Sequence, residues 1–218
     1  MQPLIRVIND DQVLASAGHC LHQHGWWHGP NAVESTLIDA LGNELRALIE
    51  ADRLHRAGIG RDLDFQLDRE VRRDRIFWLD RKQPAQAAFL EQMEQLRLTL
   101  NRELFLGLFE FEGHFAHYPP GGFYRRHLDS FSGAANRIVS VVTYLNRDWR
   151  DRDGGELVIF ARDSSQVAAT VQPRSGTMVL FLSEEIPHEV LPSRNDRISI
   201  AGWFRLNASI GNQIDPPR

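Results

Sequence analysis

The sequence predicts an α+β fold: a sandwich or barrel of many short strands, with a jelly roll (double-stranded β-helix) the form that closes its edges well, buttressed by N-terminal helices. Three observations predict it. Apolar residues recur at helical spacing up to about residue 107 and at every second position beyond it. Turn clusters cut that second half into short β-branched runs, and a jelly roll is one way such strands protect their edges. With 42% hydrophobic residues in 218, the chain is long and apolar enough for one sizeable core. It is read as one domain, 1–218, with helical support mainly at 8–107 and the jelly-roll core mainly at 108–206.

The elements follow in order. Leu37, Ile38, Leu41, Leu45, Leu48 and Ile49 lie on one helical stripe, which Asn31 or Ser35 can cap. Phe89, Met93, Leu96 and Leu100 form a second stripe in a helix expected over 85–107. Between them, Ala57-Gly58-Ile59-Gly60-Arg61 and the charged stretch to Arg75 have no period and read as an exposed loop. A short strand, Ile76 to Leu79, follows it. Strands are then expected around Phe109 to Phe115, Arg137 to Leu145, Leu157 to Phe160, Thr177 to Leu182 and Ile198 to Phe204. Pro119-Pro120-Gly121-Gly122, Asp151 to Gly155 and Pro192 to Asp196 are the intervening turns.

Composition removes several function classes. A net charge of −4 gives no overall basic footprint for nucleic acid. Cys20 is the only cysteine, so no internal disulfide forms, in keeping with a reducing compartment. Met1 to Asp10 reads as neither a signal peptide nor a membrane span. A soluble, cytoplasmic protein is expected.

The chemistry concentrates at His127-Leu128-Asp129. In a strand, residues i and i+2 share a face, so an imidazole and a carboxylate can be presented together. Ile186-Pro187-His188-Glu189-Val190 starts a new strand after a break and offers a third ligand, His188. Two nitrogens and one oxygen with an open face suit iron(II) oxygen chemistry. Arg197 opens the next strand, beyond the turn at 192–196. Hairpin geometry is expected to bring it beside His188, where its guanidinium can hold a carboxylate through two hydrogen bonds. A second cluster, His19, Cys20, His22, His24 and His28 beside Trp26 and Trp27, is either a soft metal site or the first helix and its exit turn.

These residues carry a resemblance. Arg73-Asp74-Arg75-Ile76-Phe77-Trp78, Tyr118-Pro119 through His127-Leu128-Asp129, Tyr144-Leu145-Asn146-Arg147-Asp148-Trp149, Gly154-Gly155-Glu156-Leu157, and Pro187-His188-Glu189-Val190 with Arg197 and Trp203 are similar to the prolyl 4-hydroxylase branch of the iron(II)/2-oxoglutarate oxygenases. The sequence most resembles the oxygen-sensing prolyl hydroxylases of animals and their bacterial relatives, which act on elongation factor Tu.

The resemblance implies a dioxygenase that hydroxylates a prolyl residue of a protein at its 4-position while converting 2-oxoglutarate and dioxygen to succinate and carbon dioxide. It implies Fe(II) on His127, Asp129 and His188, and 2-oxoglutarate as cosubstrate on Arg197, Tyr144 and Tyr118, with ascorbate supporting turnover. Arg137, Tyr124 and Trp203 are the implied walls of the proline pocket. Gly58, Gly60 and Arg61 belong to the implied lid, the loop 57–71. The implied partner is a protein carrying the target proline, with elongation factor Tu the candidate, and neither nucleic acid nor membrane. Ala201 departs from relatives that carry threonine there. His114 shares an inward parity with Tyr118 and replaces an apolar residue; it either touches the metal pocket or bonds within the core. The rival readings are a hydroxylase of a free amino acid or another small metabolite, and a non-catalytic metal-binding jelly roll that engages a protein partner.

Overall fold

The computed structural model describes residues 11–57, 70–130 and 136–207. In chain order these form α1 (Asp11–His24), β1 (Trp26–Gly29), α2 (Ser35–Glu50), β2 (His55–Arg56), β3 (Arg75–Trp78), α3 (Pro84–Leu104), β4 (Glu110–Tyr118), β5 (Tyr124–His127), β6 (Arg137–Tyr144), β7 (Leu157–Phe160), β8 (Val167–Val171), β9 (Met178–Leu182), β10 (His188–Val190) and β11 (Arg197–Arg205). No helix among the described residues is long and apolar enough to cross a membrane.

Two antiparallel sheets face each other. The larger has the order β1-β9-β6-β11-β4-β3-β2 and the smaller β5-β10-β7-β8. The alternation of the strands sorts their side chains into two apolar layers. Phe115, Val139, Val141, Leu180, Ile198, Ile200 and Phe204 leave the outer face of the large sheet. They pack with Leu37, Ile38, Leu41 and Leu45 of α2 and Phe89, Met93 and Leu96 of α3. Ala116, Tyr118, Tyr144, Val179 and Phe181 leave its inner face and meet Leu157, Ile159 and Val190 of the small sheet. The helices therefore support one sheet from behind, and the second apolar layer fills much of the space between the sheets.

Local differences from the sequence expectations have physical reasons. Neither Asn31 nor Ser35 caps α2. Asn31 sits in the left-handed region at φ 53°, Ser35 is already helical, and Glu34 occupies the cap position without a side-chain cap bond. The long helix stops at Leu104 rather than at 107, because Phe105 turns left-handed (φ 54°). Asn101 fixes that exit: its side chain donates to the Leu108 carbonyl and accepts from the Leu108 N–H. Strands β1, β2 and β8 go beyond the pattern. β1 and β2 are edge strands of two to four residues, and β8 is mostly exposed, so none alternates clearly. Trp26, Trp27 and His28 accordingly lie on β1 and not in a turn. Gly58, Gly60 and Arg61 of the expected lid lie outside the described residues.

Candidate active site

The smaller sheet brings two histidines together. β5 and β10 run antiparallel with His127 opposite His188. Asp129 follows two residues after His127, past the end of β5, so the expected shared strand face is replaced by a bend that turns the carboxylate back. Asp129 Oδ1 lies 3.4 Å from His127 Nε2 and 3.7 Å from His188 Nε2. The three donor atoms fall within 4.8 Å of one another, the only such group of three or more among the described residues. The histidines of α1 and His28 form no second one, and His28 instead stacks on Trp26.

Backbone carbonyls set both tautomers. His127 Nδ1 lies 2.8 Å from the Arg125 carbonyl and His188 Nδ1 lies 3.1 Å from that of Ile186. A carbonyl only accepts, so each Nδ1 donates to its carbonyl and each Nε2 is the ring nitrogen turned toward Asp129. Ser140 of β6 donates to Asp129 Oδ2 at 2.6 Å and meets Ser183 at 2.9 Å, which anchors the carboxylate from the opposite sheet. Burial alone would raise the Asp129 carboxyl. The neighbouring His188 and His127, with the Ser140 hydroxyl, overcome it and hold the group well below the usual carboxylate range. Burial, reinforced by His127, lowers the His188 imidazole to about 4, so it is neutral near pH 7. Neutral imidazoles and a carboxylate are the forms that bind a metal.

A second feature lies across the core. Arg197, the first residue of β11, is 1% exposed. It opposes Tyr118 of β4, while Ser199 opposes Tyr144 of β6. Its guanidinium carbon lies 5.0 Å from each of the two tyrosine rings. The hairpin expected between the strands of His188 and Arg197 does not form. β10 belongs to the small sheet and β11 to the large one, so the turn between them crosses from sheet to sheet. Arg197 thus lies on the inner face of the large sheet, the face from which Ser140 reaches Asp129, and does not pair beside His188.

Arg197 Nε donates to the Gly155 carbonyl at 2.8 Å. Gly155 has φ +71°, and a side chain there would meet the Arg197 side chain at 3.1 Å, so glycine is needed for this close approach. No carboxylate among the described residues forms an ion pair with Arg197, and the buried Tyr144 hydroxyl has no hydrogen-bond partner. A buried cation beside an unsatisfied hydroxyl, next to a set of metal donors, fits a ligand carrying a carboxylate.

On the other side of the donor set, Tyr124 stacks on His127 at 3.5 Å between centroids, with Arg72 4.4 Å from the Tyr124 ring. Arg72 is held by two bonds to the buried Asp74. The Arg137 guanidinium lies 3.5 Å from the Trp203 ring. His114 packs between Trp203 and Trp78, with ring centroids 5.5 and 5.2 Å away. Its Nδ1 donates to the Phe115 carbonyl at 3.1 Å, and burial lowers its imidazole to about 4. His114 therefore bonds within the core and lines this aromatic wall. Sequence reasoning missed Ser140 and gave Asp74 no role. Ser140 has the inward parity of Tyr144 on β6, which is the only sequence signal for it.

Comparison with known proteins agrees with this geometry. The profile of the 2OG-Fe(II) oxygenase superfamily matches residues 113–205. A solved Pseudomonas putida prolyl-4-hydroxylase is 42% identical, covers 89% of this chain and 100% of its own, and superposes with a TM-score of 0.80. A Trichoplax adhaerens prolyl hydroxylase, solved with a peptide fragment of the hypoxia-inducible factor oxygen degradation domain, shares the fold at TM-score 0.79, with 24% identity over 89% of each chain. Among curated proteins, human Egl nine homolog 1 is 29% identical over 202 residues, 85% of this chain and 45% of that protein. The chain spans about half the length of the first curated relatives it matches. With 42% identity over the whole of a solved relative and a site that fits iron(II) and 2-oxoglutarate, the chain belongs to the 2OG-Fe(II) oxygenase superfamily, within its prolyl hydroxylase branch.

Proposed function

We infer that the protein hydroxylates a prolyl residue of a protein substrate at the 4-position. In this reading His127, Asp129 and His188 hold Fe(II), and Arg197 with the Tyr144 hydroxyl holds the distal carboxylate of 2-oxoglutarate. Tyr118 lies toward the metal-chelating end of that cosubstrate. Tyr124, Trp203 and Arg137 wall the substrate pocket.

The observation that carries the reading is the presence in one core of a metal donor set and a buried arginine with no carboxylate ion pair among the described residues. When bound, iron(II) and 2-oxoglutarate supply dioxygen activation, with succinate and carbon dioxide as products. The chain's residues position and exclude. The Arg125 and Ile186 carbonyls orient the two imidazoles, and Ser140 fixes the carboxylate rotamer, so the donor set is organised before metal arrives. Tyr118, Tyr144, Phe181 and Val190 keep water from the interior beside Arg197, which strengthens its pairing with a carboxylate.

The protein substrate proposed is elongation factor Tu, from the likeness to bacterial prolyl hydroxylases that act on it; the 42% identity to the Pseudomonas putida enzyme supports the bacterial branch. The setting proposed is the cytoplasm, where such a substrate resides. The test is incubation with iron(II), 2-oxoglutarate, ascorbate and purified elongation factor Tu, followed by peptide mass spectrometry. One added oxygen on a single proline, absent with His127→Ala/Asp129→Ala, is the expected result. Succinate formed without that mark discards this substrate and directs the search to other proteins or to free amino acids. No succinate from the iron-loaded protein overturns the enzyme reading.

A further inference from the structure

The inner face of the large sheet ends, away from Arg197, in a buried chain of alternating charge. Arg205 of β11 opposes Glu110 of β4, and Trp203 opposes Glu112. Arg205 Nε and Nη2 both donate to Glu110 Oε1, and Arg205 Nη1 lies 3.4 Å from Glu112 Oε2. Glu112 Oε1 accepts from Arg137 Nε at 3.0 Å and lies 2.9 Å from Arg137 Nη2. Arg205, Glu110 and Glu112 are all buried. The series Glu110, Arg205, Glu112, Arg137 therefore runs from the core to the Trp203 ring, where the Arg137 guanidinium carbon lies 3.5 Å from the ring centroid.

This arrangement is costly to bury unless each charge meets its opposite in good geometry. Its end point gives it a use. Arg137 has a long, rotamer-rich side chain, so a guanidinium held over an indole must be held from its edge. Glu112 binds that edge through two nitrogens while Trp203 covers one face. Ser140, directly opposite Trp203 on β6, is the donor to Asp129. The Arg137–Trp203 wall thus starts beside the metal donor set. Its charge is already matched, so it offers a flat surface to an uncharged saturated ring and makes no demand for a carboxylate.

We propose that Glu112, aimed by Arg205 and Glu110, is a positioning residue for substrate: it holds Arg137 flat on Trp203, and this stack is the wall against which the target proline seats. The assignment rests on the prolyl hydroxylase reading above, and it adds a residue that acts on substrate through Arg137.

The test compares Glu112→Gln, Arg137→Lys and the double variant, iron-loaded, with elongation factor Tu as substrate. Arg137→Lys keeps a cation for Glu112 but loses the planar stack, and its partly exposed position lets it fold where Glu112→Gln unfolds. Each single change is expected to raise KM for the protein substrate about tenfold, with kcat and the KM for 2-oxoglutarate within about twofold. Glu112→Gln is expected to add less than about twofold in the Arg137→Lys background, since both changes break one unit. Fully additive effects, or an equal fall of kcat in place of the KM rise, overturn the assignment. The indole N–H resonance of Trp203, identified by its loss in Trp203→Phe, gives a readout that needs no substrate. It is expected to move in both single variants, and an unmoved resonance also overturns the clamp. If the wild-type enzyme leaves elongation factor Tu unmodified, the substrate reading falls, and the resonance alone then decides whether the clamp exists.

Discussion

Two arginines lie at opposite ends of the same sheet face, each 1% exposed, and they are solvated by the protein in opposite ways. Arg205 is enclosed by carboxylates, bonded to Glu110 and within 3.4 Å of Glu112. Arg197 meets a backbone carbonyl and two tyrosine rings, with no carboxylate ion pair among the described residues. An ion buried with its partner belongs to the fold; an ion buried without one is held ready for a partner that arrives later. Burial alone does not tell the two apart. The identity of the nearest acceptor does.

The comparison breaks if the two arginines respond alike to removal. Arg205→Met leaves two buried carboxylates facing an apolar side chain, and an unfolding-free-energy loss of about 3–5 kcal/mol is expected in denaturant titrations. Arg197→Met removes a charge with no carboxylate partner among the described residues, so stability is expected to be unchanged or raised. Its KM for 2-oxoglutarate is instead expected to rise about 100-fold, the value of a charge-assisted pair in a dry site. Equal destabilisation by both changes would make Arg197 another structural ion and remove the main support for its cosubstrate role.

A smaller effect sharpens the same contrast at Tyr144. Its hydroxyl is buried without a hydrogen-bond partner of good geometry among the described residues, and burial raises its pKa against the pull of the neighbouring Arg197 guanidinium. Tyr144→Phe deletes an unsatisfied polar group, so thermal stability is expected to stay level or gain up to about 1 kcal/mol. If the hydroxyl is kept for 2-oxoglutarate, KM for that cosubstrate is expected to rise about five- to tenfold, the loss of one hydrogen bond to a charged group. A loss of stability with unchanged KM would mean that the hydroxyl serves the apo core.

What the sequence revealed and what it hid divides along the same lines. The convergence of His127, Asp129 and His188 was legible because two of them are neighbours in a motif and the third opens a strand. The jelly roll was legible because β6, β7, β9 and β11 are short runs rich in β-branched and other apolar residues, bounded by turns. Ser140, Glu112 and Arg205 were not, because each acts through a residue opposite or beside it across strands, and one sequence does not state strand register. The relation of Arg197 to His188 was misjudged for a related reason. A short turn between two strands reads as a hairpin, whereas in a jelly roll the same turn passes from one sheet to the other. The exposed β8 and the two-residue β2 carried too little pattern to register at all.

His114 supplies the last test, of the wall rather than of the ions. It is buried between Trp78 and Trp203, and its imidazole is lowered to about 4, chiefly by burial. In the unfolded chain the same group titrates near 6.5. Between those values the unfolded state binds a proton that the folded state refuses, so stability falls as pH drops from 6.5 towards 4 and levels off below. The fall expected from His114 is about 1–3 kcal/mol. His188, also lowered to about 4, adds its own fall in metal-free protein, so the quantity to read is the difference between wild type and His114→Met in denaturant titrations at both pH values. The methionine variant is expected to lose less stability on acidification. Parallel loss in the two proteins would mean that the folded state admits a proton at His114, and that this wall of the pocket is open to water.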